Sequence, residues 1–256
     1  MPLSPSRSIR VVRHAVFCDS IDDYAVIEPF TVYGWSEITI EELIYFHHPK
    51  ANTEWSKTGM IGCGWVDKAA TFTSADDRYD YTYIWVRWLT RRPDGTIANY
   101  YYNIYAWRNT WVHVVRRFTL DREYSVYVNA EKKYSVTVPS DEVTVLEQNP
   151  DEASYPDRFR RFVLGANVWF GEHMKVSYYA FRAYSRALEG WEIEHNFRYP
   201  YDPVKKGLEV YLLAHPDYIA DIDGDGVLEW IDLSGKNRHA KIYGATLVEL
   251  IKPPAR

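Results

Sequence analysis

The sequence predicts an all-β protein, and three observations support this prediction. Short segments rich in β-branched and aromatic residues recur along the chain, with apolar and polar residues alternating at a period of two. Polar turn residues separate these segments. Aromatic side chains make up 16% of the 256 residues, with 22 Tyr and 10 Trp, which is typical of wide sheets. The length suits one large domain, or one domain with a small appendage.

Four phrases within Trp111–Glu194 carry the clearest strand pattern. They are Trp111-Val112-His113-Val114-Val115, Tyr127-Val128-Asn129-Ala130, Phe162-Val163-Leu164-Gly165-Ala166, and Tyr179 to Leu188 followed by Glu192-Ile193. The first three are predicted strands, and the fourth is a predicted strand followed by one short helical turn. In this order the phrases resemble the laminin-G-like, concanavalin A-like lectin/glucanase domains. The resemblance implies an antiparallel jelly-roll sandwich of two sheets.

One turn departs from the pattern of that family. Where the family has an Asn-Gly turn, this sequence has Asn129-Ala130. Because alanine adopts a positive φ less readily than glycine, the sequence predicts a longer turn through Glu131-Lys132-Lys133 in place of a two-residue hairpin.

Paired carboxylates raise the question of glycoside hydrolysis. Ser36 to Phe46 is a predicted strand whose polar face carries Glu37 and Glu41. The glucanases of the resembled family carry a Glu-x-Asp-x-Glu strand, and no such sequence occurs here. Glu37/Glu41 and Glu192/Glu194 match it only in part. We therefore interpret them as solvated residues of a strand face and a turn, and we expect no catalytic activity.

The sharpest chemical signal is an acidic loop near the C-terminus. Its carboxylates are spaced like those of a calcium-binding loop, and a glycine stands where such a loop turns sharply. The predicted ligands are Asp221, Asp223, Asp225, Val227 through its carbonyl, Glu229 and Asp232. The last ligand is Asp, as in dockerin-type loops. The sequence predicts a structural calcium site, and the alternative is an acidic turn without metal.

A second acidic group, Asp19, Asp22 and Asp23, resembles the family's opening F-D-G-x-D-D-Y phrase. It is predicted to cap a loop, with a metal ligand at the rim as the alternative. Cys18 and Cys63 lie on separate predicted strands. We interpret them as small buried thiols, with a disulfide as the alternative.

An aromatic hairpin is predicted around Arg91-Arg92-Pro93-Asp94-Gly95, where proline presets φ and glycine closes the turn. Each strand presents a row of aromatic side chains on one face. The candidate contact residues are Tyr81, Tyr83, Trp85, Tyr101, Tyr105 and Trp107. Three interpretations stay open: a platform on which sugar rings stack, a contact between subunits, and packing against a neighbouring loop.

The last fifty residues carry a displaced phrase. Gly207 to Leu212 and Trp230 to His239 resemble a phrase that precedes the Asp-rich opening strand in laminin-G-like domains. A missing strand leaves unpaired backbone groups at a sheet edge. The segment is therefore expected either to return to its own sheet, in a permuted domain, or to complete the sheet of another copy. The sequence slightly favours donation or close packing between subunits, and donation can propagate into a filament.

The predicted organisation has four parts. They are a flexible arm at 1–10, a laminin-G-like sandwich at 11–198, a linker at 199–206, and a C-terminal segment at 207–256 that contains the calcium-type loop.

Charge and hydropathy narrow the function classes. The net charge of -5 provides no basic stripe for nucleic acid. No stretch reaches eighteen apolar residues, so no membrane insertion is expected, and Met1 to His14 lacks the apolar core of a signal peptide. Laminin-G-like domains usually work outside cells. A virion protein released by lysis, or a protein whose leader has been trimmed, would explain an extracellular role without a signal peptide.

The leading hypothesis is a non-catalytic structural or adhesion protein of a virion or cell-surface appendage. It would assemble with its own copies and contact cell-surface glycans. The alternatives are a carbohydrate-binding module of a larger protein and a glycoside hydrolase. A single Gln with many Arg, Tyr and Glu hints at a thermophilic source.

Overall fold

The computed structural model describes residues 14–19, 21–47, 55–63, 66–76, 83–104 and 109–250. In these residues the chain forms seventeen strands and one α-helix. The strands are β1 (His14–Cys18), β2 (Tyr24–Ile27), β3 (Ile38–Phe46), β4 (Trp55–Cys63), β5 (Ala69–Asp76), β6 (Tyr83–Arg91), β7 (Ile97–Asn103), β8 (Trp111–Phe118), β9 (Glu123–Val128), β10 (Glu131–Thr137), β11 (Phe162–Leu164), β12 (Val176–Tyr184), β13 (Leu208–Leu213), β14 (Ile219–Ala220), β15 (Glu229–Trp230), β16 (Ala240–Tyr243) and β17 (Thr246–Glu249). Helix α1 spans Gly190–Arg198. The arm predicted at 1–10 lies outside the described residues.

The strands form two antiparallel sheets that pack face to face. One sheet has nine strands in the order β14-β15-β16-β2-β11-β4-β5-β6-β7. The other has eight, in the order β10-β9-β8-β3-β12-β1-β17, and β13 also pairs with β12. A single large cluster of buried side chains from both sheets fills the space between them. The predicted antiparallel jelly-roll sandwich is confirmed.

The alternation of side chains along the strands decides which residues enter this core. On β6, Ile84, Val86 and Trp88 are buried in the inter-sheet cluster, so the residues between them face outward. On β3, Ile38, Ile40 and Ile44 are buried in the same cluster.

A buried ion pair lies at the centre of the core. Glu42 on β3 and Arg116 on β8 are both buried, and their side chains lie 3.0 Å apart between Arg116 Nη2 and Glu42 Oε2. The opposite sheet completes the site, because Arg116 Nη1 donates to the Gly59 carbonyl at 2.8 Å and to Thr71 Oγ1 at 3.2 Å. Tyr178 donates its hydroxyl to Glu42 Oε1 at 3.3 Å. The pair therefore joins the two sheets through hydrogen bonds inside the core.

The approach of β4 to this pair depends on Gly59. Its φ is +58°, in the left-handed region. A Cβ at this position would collide with the Glu42 carboxylate and the Arg116 guanidinium. Glycine is therefore required both for the backbone conformation and for the space.

The turn between β9 and β10 differs from the prediction. It has two residues, Asn129 and Ala130, with φ of +51° and +66°, so the longer turn predicted through Glu131-Lys132-Lys133 is wrong. Tertiary contacts explain the difference. Asn129 Oδ1 accepts from the His113 backbone N at 2.9 Å, and Asn129 N donates to the His113 carbonyl at 2.8 Å. These bonds hold the turn against β8 and offset the cost of a left-handed alanine.

The C-terminal segment at 207–250 returns to its own sheets. β13 pairs with β12, β16 with β2, and β17 with β1. These pairings fill the sheet edges within the chain and favour the permuted domain over donation to another copy. The predicted linker at 199–206 connects α1 to β13 and is held in place, because Tyr211 donates its hydroxyl to the Pro200 carbonyl at 2.9 Å.

The two cysteines are free thiols, and both are buried. Burial raises the pKa of Cys18, and the neighbouring Asp23 carboxylate raises it further. Arg158 Nη1 donates to Cys63 Sγ at 3.2 Å. The interpretation of both residues as buried thiols is confirmed.

We expect Arg116→Met to lower the free energy of unfolding by about 3–5 kcal/mol, because it leaves Glu42 charged and buried without its cation. Denaturant unfolding measures this loss. Arg198→Met is the control: this arginine is exposed on α1 and pairs with Glu194 at the surface, so its loss should cost roughly 0–1 kcal/mol. The double variant Glu42→Met/Arg116→Met should be more stable than Arg116→Met alone. A double variant less stable than Arg116→Met would contradict the view that the unpaired, buried Glu42 charge causes the loss of stability.

We expect the melting temperature to be independent of protein concentration over a hundredfold dilution, because the segment at 207–250 completes sheets of its own chain. Scanning calorimetry at several concentrations measures this. A melting temperature that falls steadily on dilution would contradict this expectation, because it would show that a second copy stabilises the folded state.

Candidate functional site

An exposed group of aromatic side chains lies on the hairpin of β6 and β7. The turn forms as predicted: Gly95 has φ of +79°, and Arg92 N donates to the Thr96 carbonyl at 2.9 Å. The resulting register places Trp85 opposite Asn103. Because alternate residues of β6 enter the core, Trp85 lies on the outer face of the nine-stranded sheet.

We call Tyr83, Trp85, Arg87 and Tyr101 the outer aromatic patch. The rings of Tyr83 and Trp85 stack with centroids 5.3 Å apart and planes inclined by 13°. The guanidinium carbon of Arg87 lies 4.8 Å from the Trp85 ring centroid and 5.9 Å from that of Tyr101. Tyr83 is 40% exposed and Tyr101 is 49% exposed. The patch therefore combines accessible ring surface with one cation.

Three of the six predicted contact residues belong to this patch, namely Tyr83, Trp85 and Tyr101. The other three, Tyr81, Tyr105 and Trp107, lie outside the described residues. Arg87 was missed by the sequence analysis, which followed aromatic residues only. Its place on this face could have been predicted, because Arg87 stands two residues after Trp85 and alternate residues of a strand lie on the same face.

The acidic loop brings three predicted ligands together. Carboxylate oxygens of Asp221, Asp223 and Asp225 all lie within 4.8 Å of one another, and all three residues are exposed. Two glycines, Gly224 with φ of +76° and Gly226 with φ of +87°, allow the tight turn. Their backbone N–H groups donate to the Asp221 carboxylate at 2.8 and 3.0 Å.

The other predicted ligands lie elsewhere or have other partners. Val227 donates its backbone N to Asp225 Oδ1 at 2.8 Å, and Glu229 is buried on β15. Asp232 is buried and accepts from the backbone N of Tyr211 at 2.8 Å and from the Ser234 hydroxyl at 2.7 Å. Among the described residues, Glu229 and Asp232 do not belong to the carboxylate group of the loop.

Lys241 on β16 is the second residue that the sequence analysis missed. Its ammonium lies 3.0 Å from Asp223 Oδ2 and 2.5 Å from Asp225 Oδ2. Hydrogen bonds to the two carboxylates raise the pKa of Lys241, and its ammonium lowers the pKa of Asp225. The Lys241 ammonium thus already neutralises part of the negative charge of the acidic loop. The spacing of residues within the loop could not predict this contact, because Lys241 lies outside the loop on β16.

The first acidic group forms a cap, as predicted. Asp19 donates its backbone N to Asp23 Oδ2 at 2.8 Å, and Ile21 donates its backbone N to Asp19 Oδ1 at 2.8 Å. Burial raises the pKa of Asp23 above its ordinary value. Carboxylate oxygens of Asp19, Asp22 and Asp23 lie within 4.8 Å of one another, so the alternative of a rim metal ligand is still open.

Glu41 is buried beneath α1, so its interpretation as a solvated residue is wrong. Its Oε2 accepts from Arg182 Nη1 at 3.0 Å and from Asn196 Nδ2 at 2.8 Å, and its Oε1 lies 3.5 Å from His113 Nε2. Asn196 also donates to the Tyr184 hydroxyl at 2.9 Å. Period-two alternation placed Glu41 opposite the isoleucines but did not reveal that a helix covers this outer face.

The remaining partial carboxylate pairs also have structural roles. Glu37 accepts from the backbone N of Leu120 at 3.2 Å. Glu192 forms the capping box of α1 and binds Arg186 through both carboxylate oxygens, at 2.6 and 2.7 Å. Glu194 pairs with Arg198 on the exposed face of the helix. These contacts favour anchoring and capping over acid–base chemistry.

We expect the stability that Glu41 contributes to be present at neutral pH and lost in acid. Burial raises the pKa of Glu41, but hydrogen bonding and charge from His113 and Arg182 outweigh it, and the net shift is downward. A carboxyl group with a lowered folded-state pKa stabilises above its unfolded pKa and loses this effect as pH falls through the folded value. The difference in melting temperature between wild type and Glu41→Gln should therefore shrink below the ordinary glutamate pKa of 4.5.

Glu194→Gln, on the exposed side of α1, is the control for this measurement and should change the pH profile little. A difference between wild type and Glu41→Gln that stays constant from neutral to acidic pH would contradict the role assigned to the Glu41 carboxylate.

Within the described part of the chain, no helix combines the length and the apolar character needed to cross a bilayer. No model of a known protein family matches the sequence, and no curated protein is significantly similar to it.

Solved structures share the fold. The chain is similar to a candidate carbohydrate-binding protein from Bacteroides ovatus, with a TM-score of 0.64 and 18% identity over 95% of this chain and 62% of the other. It is also similar to a native heptameric SAP-like pentraxin from Limulus polyphemus, with a TM-score of 0.55 and 12% identity over 95% of this chain and 98% of the other. The receptor-binding domain of botulinum neurotoxin D gives a TM-score of 0.51 and 12% identity over 77% of this chain and 46% of the other.

This chain therefore spans about three fifths of the length of the Bacteroides protein. At these identities the similarity shows a common jelly-roll sandwich, in agreement with the fold that the concanavalin A-like resemblance implied.

Proposed function

We propose that the protein is a non-catalytic binding domain that recognises glycans through the outer aromatic patch. The observation that carries this proposal is the exposure of Tyr83 and Tyr101 beside Trp85, on the outer face of a hydrogen-bonded hairpin. Sugar rings have apolar C–H faces that aromatic rings can cover, while their hydroxyls stay in contact with water. The fold of the candidate carbohydrate-binding protein from Bacteroides ovatus supports the same class of function.

The proposed setting is the outside of a cell or virion, where such a domain serves adhesion. This setting rests on the sequence prediction of a virion or appendage protein. A carbohydrate-binding module within a larger protein would use the same patch. Glycoside hydrolysis is disfavoured, because Glu41 is buried beneath α1 and Glu192 is bound by Arg186.

The second candidate function is self-association through the same patch. The similarity to a heptameric pentraxin favours it, since that protein shares the fold and assembles from copies. Exposed aromatic residues are also typical of protein–protein contacts. Filament formation by strand donation is not part of this candidate, because the chain fills its own sheets.

We expect Trp85→Ala to weaken binding of the best ligand on a glycan array, and Tyr83→Ala and Tyr101→Ala to weaken it less. A ring contact is worth about 0.5–1.5 kcal/mol, so each loss should be roughly 2- to 12-fold in Kd. Calorimetric titration with that glycan measures the change, and the absence of new reducing ends during incubation tests the non-catalytic assignment.

Trp191→Ala is the matched control for these variants, because Trp191 is 67% exposed but lies on α1 at the other sheet. It should bind like wild type. Binding that is lost equally in Trp191→Ala would place the site elsewhere. A Trp85→Ala variant that binds glycans normally but changes in mass by light scattering would favour self-association.

We also propose that the acidic loop binds calcium as a structural ion. The close approach of the carboxylates of Asp221, Asp223 and Asp225 supports this, because hard oxygen ligands are those that calcium prefers. Calcium would have to displace the ammonium of Lys241 from Asp223 and Asp225. Lys241→Gln is therefore expected to strengthen calcium binding.

We expect millimolar calcium to raise the melting temperature and EGTA to reverse the effect. In Asp223→Ala/Asp225→Ala the response should disappear, because two of the clustered carboxylates are gone. Asp121→Ala/Asp141→Ala removes the same charge from exposed positions outside the loop and should keep the response. Titration calorimetry that detects no calcium binding at millimolar concentration would refute the proposal.

A further inference from the structure

A second group of aromatic rings lies on β2, on β16 and in the loop after β11. Tyr24 on β2 is the register partner of Tyr243 on β16. Their rings stack with centroids 4.9 Å apart and planes inclined by 24°. The Phe170 ring stacks on Tyr24 with centroids 4.4 Å apart and planes inclined by 21°, so Tyr24 links the other two rings. We call Tyr24, Phe170 and Tyr243 the Tyr24 stack.

Strand alternation places the Tyr24 stack on the same face of the sheet as the outer aromatic patch. Ala25 and Ile242 are buried in the inter-sheet core, so their neighbours Tyr24 and Tyr243 face outward. Phe170 and Tyr24 pack against a separate apolar cluster formed by outward-facing residues of β2, β4, β5, β6 and β11. The loop that carries Phe170 therefore lies over the outer face of the nine-stranded sheet.

The pairing of the strands defines a row that crosses the sheet from the outer aromatic patch. Trp85 on β6 lies opposite Ser74 on β5, and Ser74 lies opposite Lys57 on β4. The Trp169 ring lies 5.1 Å from the Lys57 ammonium. The half-buried Trp169 thus lies on the outer face where this row passes the middle of the sheet.

The Tyr24 stack lies near the other end of this row. Val163 on β11 pairs with Met60 on β4 and with Val26 on β2. Because β2 and β4 both run antiparallel to β11, the step from Val26 to Tyr24 goes the same way along the sheet as the step from Met60 to Lys57. β2 and β6 are four strand spacings apart, which at about 4.8 Å each is about 19 Å.

Both ends of the row expose ring surface. Tyr243 is 37% exposed, and Tyr83 and Tyr101 are exposed in the outer aromatic patch. A short sugar ligand covers only one of two groups that are about 19 Å apart. A linear glycan that runs across the strands covers both.

We infer that the Tyr24 stack is a second subsite and that the ligand is a long linear glycan that crosses the strands from the outer aromatic patch to this stack. The inference rests on the proposed glycan-binding function and specifies the form of the glycan. When one chain contacts two subsites, the second contact is intramolecular. Long chains therefore bind more tightly than short ones, although neither contact is stronger on its own.

The first test is a length series on the wild-type chain. The probes are xylo-, manno-, laminari- and cello-oligosaccharides, each as a ladder from the disaccharide to the longest soluble oligomer. In at least one ladder, calorimetric titration should show that the longest oligomer binds roughly tenfold or more tightly than the shortest one that binds.

Variants of Tyr243 locate the second contact. Tyr243→Ala should weaken binding of the long oligomers roughly 2- to 12-fold, as expected for the loss of one ring contact, and leave the shortest binding oligomer unchanged. Tyr243→Phe keeps the ring and should bind like wild type. Trp85→Ala should weaken binding at both lengths.

Tyr199→Ala is the matched control, because Tyr199 is an exposed tyrosine at the C-terminal end of α1, at the other sheet. It should bind oligomers of every length like wild type. Thermal melting verifies that each variant is folded.

The outcomes separate this inference from the proposed function. Affinity that does not change along any ladder, or full affinity of folded Tyr243→Ala for the long oligomers, would overturn the inference while glycan binding stands. Equal losses for short and long oligomers in Tyr243→Ala would also overturn it, because length would then not bring the second subsite into contact. Failure to bind any of these probes or any glycan on an array would overturn both.

Discussion

The ion pair of Glu42 and Arg116 is the interaction on which the arrangement of the two sheets depends. Two charges taken out of water are tolerated only when their hydrogen bonds are satisfied. The eight-stranded sheet supplies both charges and the Tyr178 hydroxyl, and the nine-stranded sheet supplies the Gly59 carbonyl and Thr71. Apolar packing alone tolerates many small displacements of one sheet over the other. This set of directed bonds is satisfied at only one displacement of the sheets. It includes groups on β4 and β5, and β5 pairs with β6 of the hairpin that carries the outer aromatic patch.

Consecutive glutamates serve opposite faces of the same strand. Glu42 enters the inter-sheet core, whereas Glu41 faces outward and is covered by α1. Arg182 and Asn196 bind the Glu41 carboxylate, so the helix is joined to the sheet by charge-assisted hydrogen bonds as well as by apolar contacts. The polar residues on these strands are thus engaged in holding the fold. The exposed aromatic patch and the carboxylates of the acidic loop lie elsewhere, on the outer face of the nine-stranded sheet and in the loop at 221–226.

Much of the fold was predictable from local patterns. The strands around Trp111 and Phe162, the turn through Pro93-Asp94-Gly95 and the buried thiols follow from alternation, turn chemistry and residue type. The turn at Asn129-Ala130 was not predictable, because contacts with β8 outweigh the local preference of alanine. The sequence also did not predict which sheet the strands of the C-terminal segment join. A strand pattern indicates that a neighbouring strand is needed but does not indicate which chain provides it.

The candidate sites were predictable only in part, for a related reason. Sequence spacing located the aromatic rows and the acidic loop, because their members are close in the chain. It did not locate Lys241 beside Asp223 and Asp225, since β16 reaches the loop only through the sheet. Arg87 lay within the pattern but was missed because its role depends on stacking over Trp85.

We propose that the ligand binds on the outer face of the β6–β7 hairpin. Backbone amide chemical shifts of the isotope-labelled protein, recorded during titration with the best-binding oligosaccharide, test it most directly. We expect saturable shifts concentrated at residues 83–87 and 99–103, with little change in α1 or in the acidic loop. Shifts confined to residues 190–198 or 221–229, with the hairpin unchanged, would contradict it.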